Sequence, residues 1–324
     1  MTRYIVKRII MIIPIILAII LVLFILQYLL TASNIRQMTI NGDGDALDPV
    51  YSFLNVTDNF FTKYVRYCYN VLVHLDFGKS SGINIKLTRE LSYRVRNTLW
   101  ILGCGVGATL AFGIPIGVYT AVHKNSKRDR IINAVTLFFS AIPSYSLAMV
   151  ITLILAVYLR LLPVVSSYYT PKAYLMPTLT IAFGGISLIA RTTRTSMLEV
   201  LEQPYITALR SKGLKDSQVV YRHAFKNALA PVVSVLGGVA SQMLCGTFVV
   251  EQFYSIPGLG SYMLRSVSMR EHMEILGCTV VIAIILSALN VVADIAYAFI
   301  NPQIRLRYTK NAPRKGGAKW RAGR

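Results

Sequence analysis

EVLEQPYITALRSKGLKDSQVVYRHAFKNALAP, running from Glu199 to Pro231, is a polar island between two long apolar runs, and its punctuation decides how the chain is read. Pro204 suits the first turn of a helix, and Tyr205 to Lys212 holds good helix formers with apolar residues at Tyr205, Ala208 and Leu209. Gly213 supplies the left-handed residue that commonly ends a helix, and Asp216 or Ser217 offers an oxygen to cap the next one. That second helix would turn Val219, Val220, Ala224 and Phe225 toward the apolar side and leave Lys215, Arg222 and Lys226 in water. Pro231 would then break the backbone ladder as the next apolar run begins. Helix, glycine bend, helix at a membrane surface is a shape for docking onto another protein, and it needs no catalytic group. A basic loop resting on lipid headgroups is the plainer alternative, and the ordered glycine, cap and proline argue against it.

The surroundings are those of a membrane protein. Of 324 residues, 54% are hydrophobic and only 15% charged, with a mean hydropathy of +0.53, whereas soluble domains carry about a quarter charged residues. The uncharged runs are Ile9 to Ile35, Asn97 to His123, Ile131 to Leu159, Ala173 to Ala190, Asn227 to Val250 and Ile275 to Ala293. Each meets or approaches the roughly 20 residues a helix needs to cross hydrocarbon, so the expectation is about six transmembrane helices in an all-α membrane protein. The fourth run is the weakest, because Pro177 and Gly184-Gly185 interrupt it.

A net charge of +20 raises the question of nucleic acid, and its distribution answers it. With the amino terminus inside and the spans alternating, the inner side holds 22 Lys and Arg against 4 acids, and the outer side 12 against 9. That asymmetry satisfies the positive-inside rule, puts both termini and the Glu199 to Pro231 island in the cytoplasm, and leaves membrane lipid, not nucleic acid, as the partner of the charge. Cys68, Cys104, Cys245 and Cys278 have no paired spacing, so neither a disulfide nor a metal site is expected. The first apolar run is longer than a signal peptide core and lacks a small-residue cleavage site, which favours a retained anchor.

The chain accordingly divides into residues 1–35, the amino terminus and first span; 36–96, an extracytoplasmic segment; 97–304, five further spans that include the 199–231 loop; and a basic tail, 305–324. Within the second segment Ile83, Leu87, Leu91 and Val95 recur every fourth residue, which predicts an amphipathic helix lying on the outer surface. The second span carries Gly103, Gly105, Gly107, Gly113 and Gly117, a pattern for close helix packing. In the third span Ser140, Pro143, Ser144 and Tyr145 combine a helix-breaking proline with hydroxyls, which either opens a polar cavity or only kinks the helix. Ser234, Gly237 and Ser241 make part of the fifth span small, suited to packing or to a pathway wall. After it, Pro257 with Gly258 and Gly260 forces a tight turn between the aromatic pair Phe253-Tyr254 and the last span. Asp294 is the one carboxylate close to membrane depth; pairing with a basic neighbour near the inner interface is favoured over a transport role.

Several of these stretches together resemble the membrane subunits of bacterial ABC importers in the dipeptide/oligopeptide/nickel permease branch. The likeness rests on Tyr205, Ser211-Lys212-Gly213-Leu214, Arg222 to Leu229 and Pro231-Val232-Val233 in the island, which looks like the coupling or EAA loop. Thr207-Ala208-Leu209 stands where other importers have Glu-Ala-Ala. It continues in Asp76 to Ser80, Arg96 to Leu99, Leu162-Pro163-Val164, Leu175 to Thr180, Glu251 to Gly260 and Asn301 to Arg305. The resemblance implies a type I importer permease architecture with a cytoplasmic coupling helix, in which Tyr205, Thr207, Ala208, Leu209, Arg210, Lys212, Gly213 and Leu214 contact the ATPase. It implies as partners a second homologous permease subunit, two ABC ATPase subunits that bind ATP and Mg, and an extracytoplasmic solute-binding protein beside the outer mouth, where Phe253, Tyr254, Pro257 and Gly258 would lie. The setting would be the bacterial inner membrane, the cargo peptides, with nickel chelates or glutathione as alternatives.

No phosphate-binding loop, His-Glu-x-x-His or nucleophile and base pair occurs in the sequence, in keeping with a transport subunit that has no ATPase site of its own. The rival from another class is an ion-driven secondary transporter, which calls for intramembrane ionisable groups and broken helices repeated in two halves. Asp294 alone would serve it, and no repeat is evident.

Overall fold

In a computed structural model, residues 2–41, 60–80, 86–163 and 170–300 are described. Ile83, Val164, the Asn301 to Arg305 ending and the basic tail lie outside them. The described chain is helical: α1 Thr2–Asn41, α2 Phe60–His74, α3 Leu87–Val122, α4 Lys127–Ala141, α5 Ser144–Tyr158, α6 Pro171–Leu201, α7 Pro204–Ser211, α8 Asp216–Phe253, α9 Leu259–Met269 and α10 His272–Ile300. Among the described residues, α3, α6, α8 and α10 are each long and apolar enough to cross a membrane, and α4 with α5 forms a fifth, broken span. The first apolar run adds the shorter helix Ile10–Leu26 within α1.

At the centre, α3 and α6 run against each other over most of their length, and glycine makes that approach possible. A Cβ on Gly117 would come within 2.5 Å of the Ala190 carbonyl oxygen and of Thr193, and one on Gly185 within 2.5 Å of the Thr109 hydroxyl. Hydrocarbon solvent gives no hydrophobic push between helices, so close backbone packing of this kind carries the association. Gly103 and Gly107, on the other faces of α3, meet nothing. The fourth apolar run, interrupted in sequence by Pro177 and Gly184-Gly185, is therefore one unbroken helix and is the most buried of the spans. Pro177 falls in the first turns of its α-helical part, where little hydrogen bonding is lost. Next, α8 packs on α6 and α10, and α1 closes the bundle against α10 through Ile16, Ile20 and Phe24. The edge of Phe24 also meets the rings of Phe60 and Tyr64 on α2.

Two expectations are corrected here. The every-fourth-residue pattern does not form a separate surface helix: from Leu87 onward it is the start of α3, and Leu87 and Leu91 are buried against Gly277 of α10. Nor does Pro231 break the ladder, because α8 runs through it to Phe253. A proline forfeits one backbone bond, and neighbouring helices hold the rest of the helix in register. The chain loosens earlier, in a wide turn over Val219–Ala224 where Phe225 N–H donates to the Val220 carbonyl five residues back.

Candidate functional site

One end of the bundle is built on the Glu199 to Pro231 segment. There Ile206 is fully buried among Val118, Ala121, Met197, Val219, Val220, Ala224 and Ala228, with Leu209 and Leu214 half-buried beside it. Thus α7 is seated through Ile206, not through Tyr205 and Ala208, which are exposed along with Thr207, Arg210 and Lys212. Two turns of helix give periodicity too few points to choose a face. Asn227 Nδ2 donates to Tyr205 Oη at 2.8 Å, fixing the ring at the helix start. At the other end Gly213 N–H donates to the Arg210 carbonyl at 2.9 Å, and Gly213 takes φ +79°, the left-handed conformation that a Cβ disfavours. Neither Asp216 nor Ser217 caps the next helix: the residue before α8 is Lys215, without a side-chain cap, and the Asp216 carboxylate accepts instead from Arg210 Nε at 3.2 Å, a clasp across the glycine bend.

Around this end the loops are tied by charge. Asp129 accepts two 2.8 Å bonds from the Arg194 guanidinium, one at each oxygen, together with Asn125 N–H and Asn133 Nδ2. It is buried, so α4 is locked to α6 at its first turn. Lys124 reaches Glu202 at 2.7 Å, and its ammonium holds that carboxyl below the usual range. Asp294 pairs with Arg8 at 3.1 Å, the basic partner expected of it.

In the third span the chain takes the stronger of the two options open to it. Ile142 and Pro143 are extended, and α4 and α5 meet at 108°. Beside the break lies a cavity of about 280 Å³ whose wall includes Ser140, Ser144, Gly184, Leu188, Arg191 and Gln242. Of the expected path residues, Ser140 and Ser144 are brought here; Pro143 makes the bend, and Tyr145 points away, exposed. The others are elsewhere. Gly237 faces Ala293 and Asn290 of α10, Ser241 accepts from Asn290 Nδ2 at 3.4 Å, and Ser234 bonds to the Pro231 carbonyl of its own helix. The α8 face on the cavity is Val239, Gln242, Met243 and Gly246, about half a turn away. Small residues in a span fit packing and pathway equally, and only the identity of the facing helix separates the two. Arg191 and Gln242, which composition did not single out, supply the cavity's longest polar side chains.

The opposite end is organised by Glu251. Its carboxylate is buried and accepts from Thr98 Oγ1 at 2.6 Å and from the backbone N–H groups of Gly260 at 2.8 Å and Ser261 at 3.2 Å, at the start of α9. Gly258 fits against it with no room for a Cβ. The Pro257 carbonyl accepts from Asn97, so Pro257 and Gly258 are internal struts, while Phe253 is exposed. The Tyr254 hydroxyl donates to the Ala148 carbonyl at 3.2 Å and lies 3.2 Å from Thr152 and 3.3 Å from Thr180, joining α5 and α6 to the end of α8.

The described chain is thus a helical bundle with a broken span, a polar cavity at the break and a short helix carried on one end. Residues 113–306 match the model of the binding-protein-dependent transport system inner membrane component family. The chain belongs to that family. Among its relatives, this permease is 30% identical over 314 residues to the dipeptide transport system permease protein DppB of Bacillus subtilis, covering 94% of this chain and 99% of the relative. It is 31% identical over 309 residues to the glutathione transport system permease protein GsiC of Pectobacterium atrosepticum, covering 95% and 100%. In fold it is similar to a chain of the inward-facing MetNI methionine ABC transporter, with a TM-score of 0.57 at 18% identity over 66% of this permease and 98% of that chain. The permease is thus an all-α, multi-pass inner-membrane subunit of the ABC importer class that includes peptide and glutathione permeases, with type I importer architecture.

Proposed function

We propose that this permease forms half of the solute passage of an ATP-driven importer and carries peptides, dipeptides or oligopeptides, released into it by an extracytoplasmic binding protein. The observation that carries this reading is α7: an eight-residue helix anchored by one buried side chain, Ile206, with Tyr205, Thr207, Ala208, Arg210 and Lys212 left exposed on a bundle that has its own core elsewhere. A rigid, shallow-seated helix is what a moving partner needs in order to push on a bundle, since the partner's states must differ in their contact with it.

In this reading the partners are a second, homologous permease subunit and two ATPase subunits, which bind ATP and Mg and dock on α7 in the cytoplasm; both termini lie on that side. The permease contributes no chemistry. Nucleotide turnover changes the passage through α7 and Gly213. Phe253 and its neighbours at the far end face the binding protein. The peptide assignment draws on the names of the relatives; glutathione, itself a peptide, belongs to the same cargo class.

The test is reconstitution of the full complex in proteoliposomes with an external binding protein and a radiolabelled dipeptide. ATP-dependent accumulation, and a cross-link between an Ala208→Cys variant and the ATPase subunit, are the expected results. Accumulation by this polypeptide alone, driven by a proton or sodium gradient, would refute the reading.

A further inference from the structure

Two arginines three residues apart on α6 have opposite fates. Arg194 spends its guanidinium on buried Asp129. Arg191 is exposed, donates only a long 3.4 Å bond to Ser140 Oγ, and among the described residues has no carboxylate within ion-pair distance. It lies on the wall of the cavity at the α4–α5 break and also on that of the next cleft, about 280 Å³, which Thr192, Thr195 and Glu199 line toward the α7 end. Leu188 and Arg191 are common to both spaces, so a solute moving from one to the other passes them.

A cation on a span is costly where it faces lipid and is kept where it faces a polar passage. The rest of the cavity wall is undemanding: Gly184, about two turns back along α6, presents bare backbone where an added Cβ would touch nothing, and Ser140, Ser144 and Gln242 are neutral. The wall thus carries one fixed positive charge, without a carboxylate partner among the described residues, beside space for a ligand. A planar guanidinium is matched in shape and charge by a carboxylate, which it can hold with two parallel bonds.

We propose that Arg191 is the specificity-determining residue of the passage and that it recognises the free carboxylate of the cargo. This rests on the peptide-import reading above and narrows it: solutes ending in a carboxylate pass, and the same solutes capped as amides do not. Glu199, about two turns farther along α6, then faces the cargo with like charge and favours its departure toward the α7 end.

The experiment compares ATP-dependent uptake of dialanine and dialanine amide in proteoliposomes holding the complete complex, with ATP hydrolysis measured in the same vesicles. Arg191→Gln is expected to lower dialanine uptake about tenfold, the cost of one charge-assisted contact; Arg191→Lys, which keeps the charge but not the fork, falls between. Dialanine uptake in Arg191→Gln equal to wild type overturns the inference while leaving import intact. Failure of the wild type to import either compound counts against the import reading itself. If Arg191→Gln does not assemble, the wild-type complex decides: radiolabelled dialanine bound to it should be displaced by unlabelled dialanine and not by the amide, and equal displacement by both overturns the proposal.

Discussion

The Thr98 hydroxyl donates to Glu251 at 2.6 Å and at the same time accepts from the backbone N–H of Leu259 at 2.9 Å, so one threonine of α3 fastens both the end of α8 and the start of α9. The two residues are 153 apart in sequence, and both are buried. A carboxylate removed from water is tolerable when its lone pairs are filled, and here a hydroxyl and two amides at a helix start fill them.

Glu251→Ala should therefore leave the Gly260 and Ser261 amides and the Thr98 hydroxyl without their acceptor. About 1–3 kcal/mol per orphaned group gives a clear fall in the thermal midpoint of the detergent-solubilised complex. Thr98→Val should do the same to a smaller degree, and the two losses should not add, because both act on one network. Strictly additive losses would mean that the contact is incidental.

A second prediction concerns Asp129 and Arg194. Breaking a buried pair by removing one partner strands the other charge, so Asp129→Ala should destabilise by about 3 kcal/mol, whereas Asp129→Leu with Arg194→Met should recover most of that. Thermal unfolding of the wild type and the two variants checks it. The exposed Lys124–Glu202 pair, broken by Glu202→Gln, should not shift the midpoint measurably. A double variant no better than Asp129→Ala would show that the pair's geometry, and not the stranded charge, sets the cost.

How far the sequence led can be judged at individual residues. The spans were legible because hydrocarbon tolerates so few charges, and the Gly213 bend because almost no other residue adopts its backbone readily. Asp294 needed a basic partner by the cost of a charge at that depth alone, although only the fold identifies it as Arg8. Contacts set by which helices become neighbours were not legible. Leu87 and Leu91 read as a lipid-facing stripe until Gly277 opposes them, and Gly237 and Ser241 read as a passage wall until Asn290 does. Glu251 stood in a stretch singled out for its turn residues, yet its role depends on Thr98 across the bundle.

The third prediction rests on Tyr254, whose hydroxyl gathers Ala148 and Thr152 from α5, the second half of the broken span, and Thr180 from α6. Tyr254→Phe keeps the ring's packing and removes the polar junction, at about 1 kcal/mol for each bond lost. If that junction holds the far end of the passage shut at rest, the variant should hydrolyse ATP faster without the binding protein and depend less on it for uptake. Unaltered basal ATP hydrolysis would reduce Tyr254 to a packing residue.

The fourth prediction tests α7 through its end. At φ +79°, Gly213 occupies a conformation that costs an ordinary L residue roughly 1–2 kcal/mol, and more if the side chain is β-branched. No neighbouring atom lies within 4 Å of where a Cβ would sit, so Gly213→Val adds strain without collision, and that strain falls on the hinge between α7 and α8. Ile206 remains in its pocket and the spans are untouched, so insertion and assembly should be normal. The expected defect is in transmission: ATP hydrolysis continues while uptake per ATP hydrolysed drops several-fold. Gly213→Asn, which tolerates the left-handed region, should keep most of the coupling, and Gly213→Ala should lie between. The ratio of uptake to hydrolysis in proteoliposomes, measured across glycine, asparagine, alanine and valine, orders the four by backbone strain if the bend transmits force. An order that tracked side-chain volume instead would point to a crowded docking surface at that position.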